Sequence, residues 1–262
     1  MRAGSRPAGR ASEPAGRNRM TEHTGEAARL PSGAVFPQER IRAALNFGNV
    51  LFTTQDDAGA PVGLGPDLMH ALADHFGLGL DIRSYAQPPD VVADANTDAW
   101  DVTILAIEPA REAFVAFAAP MTRIEATCVV DAAYTETSLA ELDRPGFRLA
   151  AMDRSGYELY LSRTLKAATL VKTASFAESI ARFNAGEADA VAGLATMLAG
   201  RLPDMPRGRL MPHSFQTIHH GFAVPHALAP LLPAINAFVA QSAASVITQA
   251  VSRHGIVGLT PA

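Results

Sequence analysis

Short apolar strands alternating with amphipathic helices predict an α/β fold with largely parallel sheets, and three features carry that expectation. Apolar residues run almost without interruption across Asp101–Ile107, as in a strand buried on both faces. A helix opening at Pro66 places Leu68, Met69, Leu72, Ala73 and Phe76 on one face and stops at Gly77. The same strand-helix cycle then restarts at Phe147.

The elements follow in order. Ile41–Asn46 is the first strand, and Gln55-Asp56-Asp57-Ala58-Gly59 is a turn-rich hairpin. Pro66 suits a helix start because its missing N–H has no partner to lose there. Strands follow at Leu80–Tyr85, Asp101–Ile107 and Ile124–Asp131. The second cycle has a strand at Phe147–Met152, a helix over Gly156–Leu165, a strand at Leu170–Lys172 and a helix from Ser175. Ser175 and Glu178 have capping-box spacing, and Gly186 is placed to end that helix in a left-handed conformation. A strand at Asp189–Ala192, a short helix at Thr196–Arg201, a strand at His219–Val224 bounded by Pro225, and a helical region over Leu231–Arg253 complete the chain.

Composition narrows the function. The 262 residues are 48% hydrophobic and 18% charged, enough for a sizeable core in one large domain or two modest ones. A formal net charge of -4 leaves no basic surplus for unselective phosphate binding, so no nucleic-acid partner is expected. No run approaches the roughly 18–20 consecutive apolar residues of a membrane span, so no direct membrane insertion is expected. The single Cys128 excludes an intrachain disulfide and a cysteine-built metal site, and neither a metal nor a cofactor is expected. Six arginines fall within residues 1–30, leaving 16 basic against 23 acidic residues in 31–262. Residues 1–37 read as a disordered basic leader, poor in large apolar side chains. No segment of about 7–15 apolar residues follows the arginines after Met1 or Met20, as a secretory signal would require. Two localisations therefore stand: a cytoplasmic chain, or an exported form with a different start.

Four segments together resemble one family. Phe52…Asp56…Gly59-Ala60-Pro61-Val62-Gly63-Leu64-Gly65-Pro66-Asp67-Leu68 is similar to F-x-F-x-D-x-x-G-x-x-x-G-F-D-x-D-L, and Trp100-Asp101-Val102 to Y-D-V. Glu108-Pro109-Ala110-Arg111, followed by Phe117 and Pro120, is similar to T-P-E-R, and Gly186-Glu187-Ala188-Asp189-Ala190-Val191 to G-x-x-D-A-V. Their order and spacing over Ile41 to Gly255 resemble the family 3 extracellular solute-binding proteins, the polar amino-acid receptors of ABC transporters. The resemblance implies a two-lobed periplasmic-binding-protein-like (type II) fold, two α/β lobes joined by two hinge strands, near Arg123–Val130 and His219–Val224. Lobe one would comprise 38–123 and the return segment 222–262, and lobe two 124–221. It also implies a periplasmic monomer that closes on a small molecule and hands it to a permease.

Carried over residue by residue, the resemblance makes Arg111 the guanidinium that grips a ligand carboxylate, a task suited to its planar fork of donors. Ser155 and the N–H of Gly156 would receive the same anion at a helix start, a role compatible with plain capping by Ser155. Asn49 stands where a tyrosine is common and could bond a polar ligand end. Phe52 could stack on the ligand, although Phe47 and Phe52 also suit a core role. His219 and His220 lie on a crossing strand, so only one side chain can reach the cleft, and His219 is taken as that residue.

Two departures bear on the ligand. The family aspartate that binds the α-ammonium corresponds here to Leu194, after Gly193. The segment before Arg111 is two residues shorter than the family's and reads Leu105-Ala106-Ile107 where polar groups are usual. An ammonium buried without a partner is costly, so the expected ligand is a small carboxylate lacking the α-amine, or one bound in another pose. Two alternatives to a transport receptor remain open, an intracellular metabolite-sensing module and an enzyme like the cyclohexadienyl dehydratases. For the enzyme, Glu108, Glu125, Glu158 and His219 are the candidate proton-transfer groups. No nucleophile elbow, HExxH helix or phosphate-binding glycine loop accompanies them, and a non-enzyme is expected.

Overall fold

The computed structural model describes Met1, Phe36 and residues 39–262. The leader assigned to residues 1–37 otherwise lies outside the described residues.

The first lobe contains β1 (Arg40–Asn46), the hairpin β2 (Thr54–Gln55) and β3 (Pro61–Val62), α1 (Leu64–Phe76), β4 (Gly79–Tyr85), α2 (Pro88–Ala93), β5 (Val102–Ala106), α3 (Pro109–Glu112) and β6 (Val115–Phe117). Strand β7 (Thr122–Asp131) crosses to the second lobe. That lobe holds α4 (Leu139–Leu142), β8 (Arg148–Met152), α5 (Gly156–Thr164), β9 (Thr169–Thr173), α6 (Phe176–Asn184), β10 (Ala190–Leu194), α7 (Ala195–Arg201) and β11 (Gly208–Leu210). Strand β12 (Gln216–Pro225) crosses back and is followed by α8 (Leu232–Phe238), α9 (Ala244–His254) and β13 (Thr260–Pro261).

One path of strands, β4-β1-β5-β12-β7-β10-β8-β9, runs through both lobes. Strand β1 is parallel to β4 and β5, and β8 is parallel to β9 and β10, so each lobe has the parallel core that the buried apolar runs predict. The two crossing strands pair antiparallel, from Gln216 opposite Ala126 to His220 opposite Thr122. His220 is also opposite Ala106 of β5, at the point where β12 passes from one lobe to the other.

Both lobes pin their parallel strands with the same device. Asp101, just before β5, accepts the Arg42 N–H at 2.8 Å and the Arg42 guanidinium at 2.7 Å, while its own N–H donates to the Arg42 carbonyl at 2.8 Å. In the second lobe Asp189, just before β10, accepts the Arg148 N–H at 2.8 Å and its guanidinium at 2.9 Å, and donates to the Arg148 carbonyl at 2.8 Å. The aspartates of the Trp100-Asp101-Val102 and Asp189-Ala190-Val191 segments thus set strand register. Asp101 is fully buried and Arg42 keeps only Asp98 as an ionic partner without it, so Asp101→Ala, which also leaves the Arg42 N–H without its acceptor, is expected to destabilise by about 2 kcal/mol. Urea denaturation measures this, with Asp81→Ala at the exposed Arg40–Asp81 pair as a control that leaves the midpoint nearly unchanged.

Three local features differ from expectation in ways that the structure explains. Helix α1 starts at Leu64, ahead of Pro66, because Gly63 adopts φ 121° beside the Phe52 carbonyl, where an added Cβ would stand 2.8 Å from that oxygen. Ser175 accepts the Glu178 N–H at 3.1 Å, but the Glu178 carboxylate turns to the Ala174 N–H at 2.8 Å, so the box closes one residue early. The region Leu231–Arg253 is not one regular helix. A 3-10 segment, His226–Leu231, with Pro230 inside it, precedes α8, and a π segment, Val239–Ala243, precedes α9. By length and mean hydropathy of 1.4, His226–His254 could cross a membrane, yet Leu231, Ile235, Phe238, Ile247 and Ala250 are buried in the lobe-one core.

Candidate functional site

A cavity of about 70 Å3 lies between the lobes, at the carboxyl ends of the parallel strands. That is where α/β sheets present loops and helix starts to a ligand. Asn46 and the loop holding Asn49, Phe52 and Thr53 arrive from β1, and Ile104–Ala106 and Arg111 from β5. The second lobe contributes Met152, Ser155 and Gly156 from the end of β8, and Leu194 and Met197 from the end of β10. Ile218 and His220 line the cavity from the crossing strand. Drug-sized pockets run to roughly 300–1,000 Å3, so the space suits a small molecule.

Arg111 is 5% exposed, held by the short helix α3 after β5. Nη1 donates to the Ala106 carbonyl at 2.8 Å and Nη2 to the Arg154 carbonyl at 3.0 Å, across the lobes. A guanidinium has five N–H donors, so most of the fork is left for a ligand. Glu108, the acid acting electrostatically on Arg111, is committed to Arg163 at 2.5 Å and Gln216 at 2.9 Å. Burial pushes the Arg111 pKa down to about 10, which leaves it cationic at neutral pH.

The second-lobe face is the start of α5. Ser155 Oγ accepts the Glu158 N–H at 3.2 Å, which caps the helix and leaves the hydroxyl hydrogen to donate elsewhere. The N–H groups of Gly156 and Tyr157 have no intrahelical partner in that first turn. Arg154 holds a left-handed φ of 56°, with its N–H on Glu158 Oε2 at 2.8 Å. The same residue thereby turns its carbonyl to Arg111. Gly156 sits against the first lobe, where an added Cβ would lie 3.1 Å from the Ala106 Cβ.

Seven of the eight residues expected at the site line this cavity: Arg111, Ser155, Gly156, Asn49, Phe52, Leu105 and Leu194. His219 does not, and His220 takes the place assigned to it. Alternation along β12 shows that one of the pair must face the cleft but not which, since that depends on register against Ala106 and Thr122. The His220 ring lies 4.5 Å from the Phe52 ring, with Asn49 Nδ2 3.5 Å from its Nε2. Burial first, then the Arg111 charge, lowers the His220 pKa to about 3, so the imidazole is neutral. Asn46 is a further lining residue that motif comparison passes over, although its place at the carboxyl end of β1 is itself a signal.

Among the described residues, no aspartate or glutamate lines the cavity. Glu158 accepts from Lys172 Nζ at 2.8 Å, and Glu125 accepts from the Thr217 hydroxyl at 2.9 Å on an exposed part of the crossing strands. Among the described residues, no cluster of three or more His, Cys, Asp or Glu side chains could hold a metal ion. The site is therefore one buried cation, several neutral polar groups and apolar walls.

Solved structures place this architecture among the two-lobed periplasmic binding proteins. Holo ArgBP from T. maritima is 19% identical, with 83% of this chain and 96% of that chain covered at a TM-score of 0.65. A Wolinella succinogenes protein complexed with lysine, described as a putative binding component of an ABC transporter, is 20% identical over 82% of this chain and 95% of that chain, at 0.70. The ancestral amino acid-binding protein AncCDT-1, a precursor of cyclohexadienyl dehydratase, is 21% identical over 82% and 95%, at 0.65. Residues 41–245 match the family model of the bacterial extracellular solute-binding proteins, family 3, and the chain belongs to that family. No match is found among curated proteins.

Proposed function

We propose that this solute-binding protein captures a small monocarboxylate lacking an α-ammonium between its lobes, and delivers it as a periplasmic monomer to an ABC permease. The observation that carries this is Arg111, a buried cation with unused donors in a cavity lined by no carboxylate. ArgBP from T. maritima is known in an arginine-bound form and the Wolinella succinogenes protein complexed with lysine, but here the position expected for the ammonium-binding acid is Leu194. An unpaired buried ammonium costs several kcal/mol, so the missing acid selects against amino acids.

A thermal-shift screen of small monocarboxylates and the standard L-amino acids tests this, since a ligand that binds only the folded protein raises its apparent stability. Monocarboxylates should raise the melting temperature and L-amino acids should not. Tight calorimetric binding of a standard L-amino acid would overturn the proposal.

Likeness to a dehydratase precursor keeps catalysis as a second reading. Against it, the acids proposed for proton transfer are engaged elsewhere, Glu108 with Arg163 and Glu158 with Lys172. Turnover of prephenate or arogenate by the purified protein would reverse the order of these readings. Recovery of the native protein from the cytoplasm would favour a sensor over a transport receptor.

A further inference from the structure

We infer that Glu158, which lies outside the cavity, is a positioning residue for carboxylate capture: it holds the Arg154 turn that presents a backbone carbonyl to Arg111 across the lobes. This rests on the carboxylate reading and assigns how the second lobe orients the cation of the first. Glu158 is fully buried and is not part of the cavity lining. Its Oε1 accepts from Lys172 Nζ at 2.8 Å and from the Ser162 hydroxyl, and its Oε2 accepts the Arg154 N–H at 2.8 Å. Two donors on one oxygen fix the rotation of the carboxylate and leave the other oxygen aimed back past the helix start.

Arg154 is where this fixed carboxylate acts. Its φ of 56° is left-handed, a conformation unfavourable for any residue bearing a Cβ and one that persists where the surroundings hold it. The peptide groups on both sides of the residue are held, the N–H by Glu158 and the carbonyl by Arg111 Nη2 at 3.0 Å. Its side chain contributes little to that hold, being exposed, with an ion pair to Asp153 as long as 3.7 Å. Arg111 Nη1 is tied within the first lobe to the Ala106 carbonyl at 2.8 Å, so the Arg154 carbonyl is the second of two points that orient the guanidinium plane. A planar fork meets a carboxylate bidentately in one plane only, so a displaced carbonyl would misdirect the donors that remain. At the same helix start, Ser155 Oγ accepts the Glu158 N–H at 3.2 Å, so Glu158 ties both the turn and the capping serine.

The test is calorimetry on the full chain with acetate, propionate, butyrate and benzoate as probes. Glu158→Met removes the acceptor while keeping much of the side-chain volume, and it should weaken each probe that the parent binds by about tenfold or more. Glu158→Gln keeps an oxygen that can accept the Arg154 N–H and should lose much less. Adding Arg154→Gly to Glu158→Met should recover most of the lost affinity, because glycine adopts a left-handed φ without being held there. Recovery of binding in this way separates positioning from a role in stability alone, and melting temperatures without probe report that the variants fold. Where Glu158→Met does not fold, the same comparison is made on Glu158→Gln, whose smaller loss should likewise be recovered by Arg154→Gly. If Glu158→Met binds as the parent does, or if Arg154→Gly recovers nothing, the positioning role is wrong and carboxylate capture stands. If the parent binds none of the probes, carboxylate capture and the positioning of Arg111 fall together.

Discussion

Arg111→Met is expected to weaken carboxylate binding on the order of 100-fold or more while leaving the unliganded protein as stable as the parent. Truncating one partner of a buried charge-assisted pair costs about 2–5 kcal/mol, and each 1.4 kcal/mol is a factor of ten. The unliganded protein responds differently because Arg111 has only the carbonyls of Ala106 and Arg154 as partners there. Its lowered pKa reports that burial already works against the charge. Methionine fills much of the same volume without that desolvation cost, so the melting temperature without ligand should hold or rise. Arg111→Lys keeps the charge, loses the planar fork, and should fall between the two in affinity. A variant that binds normally, or one that loses stability before any ligand is added, would show that Arg111 is a structural residue.

Gly156→Leu should block closure while preserving the fold. Gly156 opens α5 in the second lobe and faces Ala106 of β5 in the first. An added Cβ meets the Ala106 Cβ at 3.1 Å and Ile218 Cγ2 at 3.6 Å, so a branched side chain has no space unless the lobes separate. Overpacking of this kind costs about 1–3 kcal/mol, which corresponds to roughly 5- to 150-fold in affinity. Small-angle scattering with saturating ligand should give a larger radius for the variant than for the parent, with similar melting temperatures when both are unliganded. Gly156→Ala asks the neighbours for only a few tenths of an ångström and should lose far less. Unchanged affinity in the leucine variant would mean that the lobes meet elsewhere.

The site was only partly legible in the sequence. Arg111, Ser155 and Gly156 stand in local motifs, and a motif carries its own helix start or loop with it. His220 and Asn46 stand in none. Their roles follow from where β12 crosses between β5 and β7 and from where β1 ends, which are matters of register and of sheet edge. Asp101 and Asp189 also stand in the motifs that carry the family likeness. In three dimensions they tie the first parallel strand of each lobe to the strand beside it.

The linear order of residues determined the class of fold. Buried parallel strands need continuous apolar runs, and amphipathic helices need one apolar face, and both patterns are local. It also pointed to the chemistry available, with Arg111 as the cation and Leu194 at the position expected for an acid. Only the tertiary structure decided which of two adjacent histidines lines the cavity, that Glu108 is taken up by Arg163, and that Gly156 packs against the first lobe. Each of those outcomes depends on groups about 50 or more residues apart being brought within a few ångströms, a distance that no local periodicity encodes.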